Sequence, residues 1–158
     1  MEPPGRQVTH RQQEGLSFVI APHVLSSFNS QGLMRHLGVT MRSASEGRCI
    51  LEVGFAPTHT QQRGYFHAGV TSAIADTAAG YAAISLISED EDVLTIEFKI
   101  NLMNPAVGDR LCAEAEVIKR GRTIMVTRAV VFGVRGEEKT PCAEFLGTMF
   151  VVARRPAA

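Results

Sequence analysis

The sequence predicts an α+β fold in which an antiparallel sheet curls around one long central helix. Three observations carry this. The run from Ala68 to about Ser88 holds one charge, Asp76, and is built on Ala, Gly, Ser and Thr. It is too long for a strand, and its apolar residues fall on nearly all sides, which implies a helix buried on nearly all sides. Downstream, Leu94, Ile96, Phe98, Ile100 and Leu102 alternate with Thr95, Glu97, Lys99, Asn101 and Met103, the cleanest period-two pattern in the chain. Further strands follow in meander-like succession, and one face of their sheet is the only candidate to wrap the helix.

The elements in chain order are these. Residues 1–15 are polar and rich in Gln and Arg, and lack the apolar core of a signal peptide. They are expected to be a disordered tail on a cytoplasmic protein. A single domain is expected over 16–153. Gly15 to Pro22 is a short apolar segment. Ser26 to Leu37 reads as a short amphipathic helix with Phe28, Leu33, Met34 and Leu37 as its apolar positions, capped by Ser26 or Ser27. Arg48 to Phe55 alternates, with Cys49, Leu51, Val53 and Phe55 on one face, so it reads as a half-buried strand that Pro57 stops. Thr58 to Phe66 is a polar loop. After the helix, Glu89 to Asp92 forms an acidic turn, and the alternating strand ends at Asn104-Pro105. Leu111–Lys119, Thr123–Val134 and Cys142–Val152 are the remaining strands, separated by turns at Gly121 and Gly136. Residues 154–158 form a short tail.

Bulk properties narrow the function. Sixteen basic and sixteen acidic side chains give zero formal net charge. A nucleic-acid binder shows a basic excess or stripe, and a chain held to anionic lipid by charge needs one too. Near-zero net charge also leaves little repulsion between copies. The Ala68–Ser88 run does not read as a membrane span, since its central Asp alone costs about 2.5–3.5 kcal/mol on insertion scales. Cys49, Cys112 and Cys142 are odd in number, far apart and without a C-x-x-C pair. They read as buried thiols in a reducing compartment. His10, His23, His36 and His59 have no metal-like spacing, and no metal or cofactor is expected.

Asp76 is the anomaly. It is a carboxylate in mid-helix among Ala73, Ile74, Ala75, Ala78 and Ala79. Either it reaches solvent or a Ser/Thr neighbour, or it is held at a cleft with its pKa pushed up by desolvation. Gly64-Tyr65-Phe66-His67-Ala68-Gly69 leads into the helix start, which offers unpaired N–H groups and the positive end of the dipole. Those groups suit an oxyanion developing at a substrate carbonyl. The carboxylate two turns later is then expected to work near the same carbon.

The segment G-Y-F-H-A-G-V-T-S-A-I-A-D-T-A-A-G-Y-A-A, residues 64–83, resembles the H-G-G-V…D-T-A signature of the PaaI-like hotdog thioesterases. The resemblance continues through V-L-T-I-E-F-K-I-N-L-M-N-P-A at 93–106, the Gly108-Asp109 turn and G-R-T at 121–123. It implies the hotdog fold and hydrolysis of acyl-CoA or aryl-CoA thioesters to free acid and CoA. Asp76 falls where the family keeps its nucleophile or general base. Ala68 stands where a glycine is usual, and its N–H would polarise the carbonyl oxygen. Gln61 matches an Asn or Gln that orients the carbonyl or leaving group, and Thr95 a Ser or Thr that positions water. Gly69 and the turn residues Arg120 and Arg122 are candidates for substrate binding, the arginines at the CoA phosphates. The resemblance also implies that Asp76 of one subunit works opposite Gln61 and Ala68 of another, in a homodimer that pairs further into a homotetramer.

Several readings stay open at this level. His67 either bonds the loop backbone or transfers a proton. Arg120 and Arg122 are equally readable as ordinary exposed turn residues. The small residues Ala75, Ala78, Ala79, Gly80, Ala82 and Ala83 serve close helix–sheet packing, or line a groove for an acyl chain, or both. Asp76 either attacks directly, giving a mixed anhydride, or activates water. A hotdog acyl-thioester hydratase or dehydratase, and a non-catalytic acyl-CoA sensor, are the alternative functions.

Overall fold

The computed structural model describes residues 20–154. The expected tails, apart from Arg154, lie outside the described residues. Two short helices open the chain, α1 (Pro22–Ser30) and α2 (Gly32–His36), followed by strands β1 (Thr40–Ser45) and β2 (Arg48–Gly54). The long helix α3 (Ala68–Ile84) comes next, then β3 (Glu91–Leu102), β4 (Arg110–Arg120), β5 (Ile124–Arg135) and β6 (Glu138–Ala153). All strand pairings are antiparallel, in the order β1-β2-β4-β5-β6-β3. This is the hotdog arrangement that the resemblance implies.

The alanines of α3 explain how the sheet wraps it. Ile74, Ala75, Ala78, Ala79, Ala82 and Ala83 are fully buried, against Cys49, Leu51 and Val53 of β2 and the inward residues of β4, β5 and β6. Methyl side chains bring the helix axis close to the sheet, so the core is thin and dense. The three cysteines are free and buried; Cys49 and Cys142 belong to this core, and Cys112 lies on the opposite face of the sheet beside Glu114. Burial pushes the thiols of Cys112 and Cys142 up to about 11, and that of Cys49 higher still. No helix among the described residues is long and apolar enough to cross a membrane.

The structure corrects several expectations. The helix expected over Ser26–Leu37 is two helices, broken where Gln31 turns to extended backbone (φ −70°, ψ 114°). The first begins earlier, at Pro22, whose fixed φ suits a first helical position. Strand β1 was not expected, because T-M-R-S-A-S has no apolar alternation to betray it. It is fixed instead by a tight turn in which Glu46 (φ 51°) and Gly47 (φ 75°) are both left-handed, the pattern of a two-residue hairpin. The long helix ends at Ile84 rather than Ser88. There the Ser85 hydroxyl donates to the Ala82 carbonyl and accepts from the Gly47 N–H, tying the helix end to the hairpin turn. Phe55 lies beyond the end of β2 and is exposed.

The four late strands are not one meander. β4, β5 and β6 are, but β3 sits outside β6 and the 103–109 segment carries the chain across to β4. Nor does β3 alternate strictly. A bulge between Thr95 and Glu97 adds one residue, Ile96, and reverses the phase. Beyond it, Phe98 faces inward and stacks on buried Phe145, with ring centroids 5.1 Å apart. Before it, Thr95 faces inward opposite buried Met149, whereas Leu94 pairs with Phe150 on the outer face.

The loop before β4 also holds the helix start. Phe66 N–H donates to Ala106 O at 3.0 Å, and Asp109 N–H to Val134 O at 2.7 Å. Val107 lies so close to β5 that a Cβ on Gly133 would strike the Val107 carbonyl. Gly133→Ala should therefore lower stability by about 1–3 kcal/mol, the usual cost of overpacking, in urea unfolding.

Candidate active site

Asp76 occupies the one open stripe of α3. Ser72, Ala73, Asp76, Thr77 and Gly80 share a face and are half-buried, while the flanking residues are buried. The helix is thus not enclosed all round, and its carboxylate lies along the gap. The Thr95 hydroxyl donates to Asp76 Oδ1 at 2.8 Å. Burial pushes the Asp76 pKa up, and the Thr95 hydrogen bond opposes that rise. The hydroxyl proton is committed to the carboxylate, so Thr95 can only accept from a water beside it. The β3 bulge makes this pairing possible; without the phase reversal, Thr95 would face away from α3.

A second group gathers at the start of α3. His67 is the N-cap, and its Nδ1 accepts from the Gly69 N–H at 2.8 Å. The structural role considered for His67 is therefore present, and it occupies the Gly69 N–H. The neighbouring Ala68 N–H has no partner among the described residues, and Ala68 is exposed. Gln61 belongs to the same loop. Its Oε1 accepts from the Arg63 N–H and its backbone N–H donates to Tyr65 O at 2.8 Å. With the carbonyl end held, the side-chain NH₂ is left as the free donor.

The two groups do not meet within one protomer. Eight residues separate Ala68 from Asp76, about 12 Å along a helix rising 1.5 Å per residue. One carbonyl cannot touch both, so the expectation that they serve the same carbon fails inside a single chain. His67 and Asp76 are separated for the same reason. Arg120 lies at the opposite end of α3, its Nη2 donating to the Leu86 carbonyl at 2.7 Å, and Arg122 is exposed in the β4–β5 turn.

Beside Asp76 the structure opens a cleft of ≈ 470 Å³. It runs along the open stripe past Ala73, Thr77 and Gly80 to Tyr81 and is walled by α1, α2 and the start of β3. Sequence reasoning missed this wall. Ser27 and Gln31 bond the Tyr81 hydroxyl at 3.0 Å and 3.3 Å, yet nothing local in the sequence links residues about fifty positions apart.

Known proteins place this geometry. The thioesterase superfamily model matches residues 63–140, from the loop before α3 to the start of β6. A thioesterase family protein from Silicibacter pomeroyi has a solved structure that superposes with a TM-score of 0.81 at 39% identity, covering 84% of this chain and 97% of that one. The chain belongs to the thioesterase superfamily. Human acyl-coenzyme A thioesterase 13 is 28% identical over 90 residues, 56% of this chain and 64% of that protein. The E. coli PaaI protein shares the fold, with a TM-score of 0.74 at 20% identity over 83% of this chain and 91% of its own. Membership makes the chain a thioester hydrolase.

The raised Asp76 pKa has a stability consequence. Between the ordinary value of 3.8 and the folded value, the folded state holds a proton that the unfolded state has released. Stability therefore falls as pH rises through that window. Asp76→Asn should melt above wild type at pH 7, and the gap should close below pH 3.8, in paired thermal unfolding curves.

Proposed function

We propose that this thioesterase hydrolyses acyl-CoA thioesters to free acid and CoA in a site assembled from two copies of the chain. The observation that carries this reading is a desolvated carboxylate with its own hydroxyl partner, set about 12 Å from the nearest free backbone donor of its helix. A second copy closes that gap. In a two-fold dimer, pairing residue 76 with residue 68 puts the axis at Ser72, on the open stripe of α3. Gly69 and Ala73 flank that point, and small side chains let two helices approach closely. The outer edge of β3 is unpaired among the described residues, and Leu94, Ile96, Phe98 and Leu102 are exposed along the strand. Such an edge needs covering in a stable protein.

The chemistry then divides between the copies. The thioester carbonyl lies at the Ala68 N–H of one copy, with the Gln61 NH₂ beside it. Oxygen and leaving group are both within reach of these donors. Asp76 of the other copy supplies the carboxylate. Burial raises its pKa, which makes it a better base than an exposed Asp. In direct attack, a carboxylate oxygen bonds the carbonyl carbon, the C–S bond breaks and water then cleaves the anhydride. In the water route, Asp76 takes a proton from a water that also donates to Thr95 Oγ1. Arg120 and Arg122 offer guanidinium groups to the CoA phosphates from the β4–β5 end. Gly69 supports the carbonyl site through the backbone turn that His67 caps. The cap occupies His67 Nδ1, which weighs against the hydratase reading.

Two measurements test this. Thiol release from a panel of acyl-CoAs should fall at least about a thousandfold in Asp76→Ala, the scale of losing a nucleophile or base. Equal rates in variant and wild type would overturn the assignment. Mixing inactive Asp76→Ala with inactive Gln61→Ala under subunit exchange should restore up to about a quarter of wild-type activity, since half the dimers carry one intact composite site of two. No recovery, with dimers confirmed by light scattering, would refute the shared site.

A further inference from the structure

His59 is a buried polar group that the proposed chemistry does not use. Its side chain belongs to the loop that leaves β2 at Gly54 and enters α3 at Ala68, and the residue is only 7% exposed. The other histidines among the described residues are exposed or half-buried. A ring nitrogen taken out of water needs a partner. His59 Nδ1 has one in the Gly54 carbonyl, at 3.0 Å. A carbonyl can only accept, so the proton is on Nδ1. The ring also stacks on Phe66, with centroids 6.4 Å apart and planes 27° from parallel.

The same residue reaches the other end of the loop. Its backbone carbonyl accepts from the His67 N–H at 2.8 Å. His59 is thus a crossbar between the last residue of β2 and the N-cap of α3. Both groups that the proposed site takes from this copy hang on it. Gln61 follows two residues later, where Thr60 pairs with Phe66 and folds the loop back. The Ala68 N–H belongs to the peptide that joins it to His67. That peptide's carbonyl is held in turn by the Val70 N–H at 2.9 Å.

We infer that His59 is a positioning residue, whose Nδ1–H bond to the Gly54 carbonyl fixes the loop so that the Gln61 NH₂ and the Ala68 N–H converge on the thioester carbonyl. The inference rests on the two-copy hydrolase site proposed above. Donors aimed at a developing oxyanion act chiefly in the transition state. Misaiming them therefore lowers kcat and kcat/KM together and leaves KM in place.

Two substitutions in the full chain separate the bond from the packing. His59→Phe keeps a ring against Phe66 and removes the donor. His59→Asn removes the ring and keeps an N–H donor near the place of Nδ1. The probe is whichever of acetyl-CoA, hexanoyl-CoA and benzoyl-CoA the wild type cleaves fastest. In folded His59→Phe, kcat should fall about a hundredfold, the scale of a misplaced reacting group, with KM within about twofold. In His59→Asn, kcat should stay within about fivefold of wild type, less than the worth of one net hydrogen bond. Wild-type kcat in folded His59→Phe, or His59→Asn no faster than His59→Phe, would overturn the inference. If His59→Phe does not fold, a loss beyond about tenfold in His59→Asn overturns it alone. Subunit exchange locates the effect. His59→Phe should recover up to about a quarter of wild-type activity with Asp76→Ala and none with Gln61→Ala, since His59 serves the copy that supplies the loop. Recovery with both partners, or with neither while Gln61→Ala and Asp76→Ala recover together, would also overturn it. Failure of that last pair would bring down the shared site, and the inference with it.

Discussion

The Thr95–Asp76 hydrogen bond is the contact on which the site is organised. A carboxylate on a helix otherwise sunk in apolar packing would be too costly without a partner. Thr95 supplies one across 19 residues of sequence. It does so because one extra residue in β3 turns the strand over at the right point. A bulge, a hydroxyl and a carboxylate are thus one device. The fold leaves the acid partly desolvated and held by one hydrogen bond. The alanine surface of α3 completes it, since a helix drawn tight to the sheet on its other faces has one open stripe.

In the proposed reaction, the start and the middle of that helix carry different parts. Its start presents an unpartnered N–H behind a histidine cap, and its middle presents the acid. Helix geometry forbids them from acting on one bond in a single chain. The same geometry favours them across a two-fold axis at a serine. Dimerisation in this reading is a consequence of where two functional groups fall on one rigid rod, and the small residues at the crossing serve it directly.

Much of this was legible in the sequence, for identifiable reasons. The central helix announced itself by length and lack of charge, and Asp76 by its isolation. The strands β2, β4, β5 and β6 showed in their alternation and turns. What escaped detection depended on three dimensions. β1 carries no apolar pattern because it is an edge strand held by a turn. The bulge in β3 hid behind an unbroken alternation of residue types. The placement of β3 outside β6 reflects where a loop crosses, and a loop records no direction in its composition. The wall formed by Ser27 and Gln31 is a meeting of distant segments around Tyr81. The resemblance named candidate site residues and set Asp76 opposite the helix-start group across subunits; the coordinates add why one chain cannot bring them together, with about 12 Å of helix between them.

The buried thiols have a consequence for a protein whose reaction sets free a thiol at each turnover. Disulfide exchange proceeds through the thiolate, and a thiol pushed up to about 11 is almost entirely protonated at neutral pH. Cys49, Cys112 and Cys142 are also buried. As the liberated thiol accumulates and oxidises, the enzyme itself offers no sulfur to capture it. Burial thereby protects the catalyst against covalent tagging by its own product.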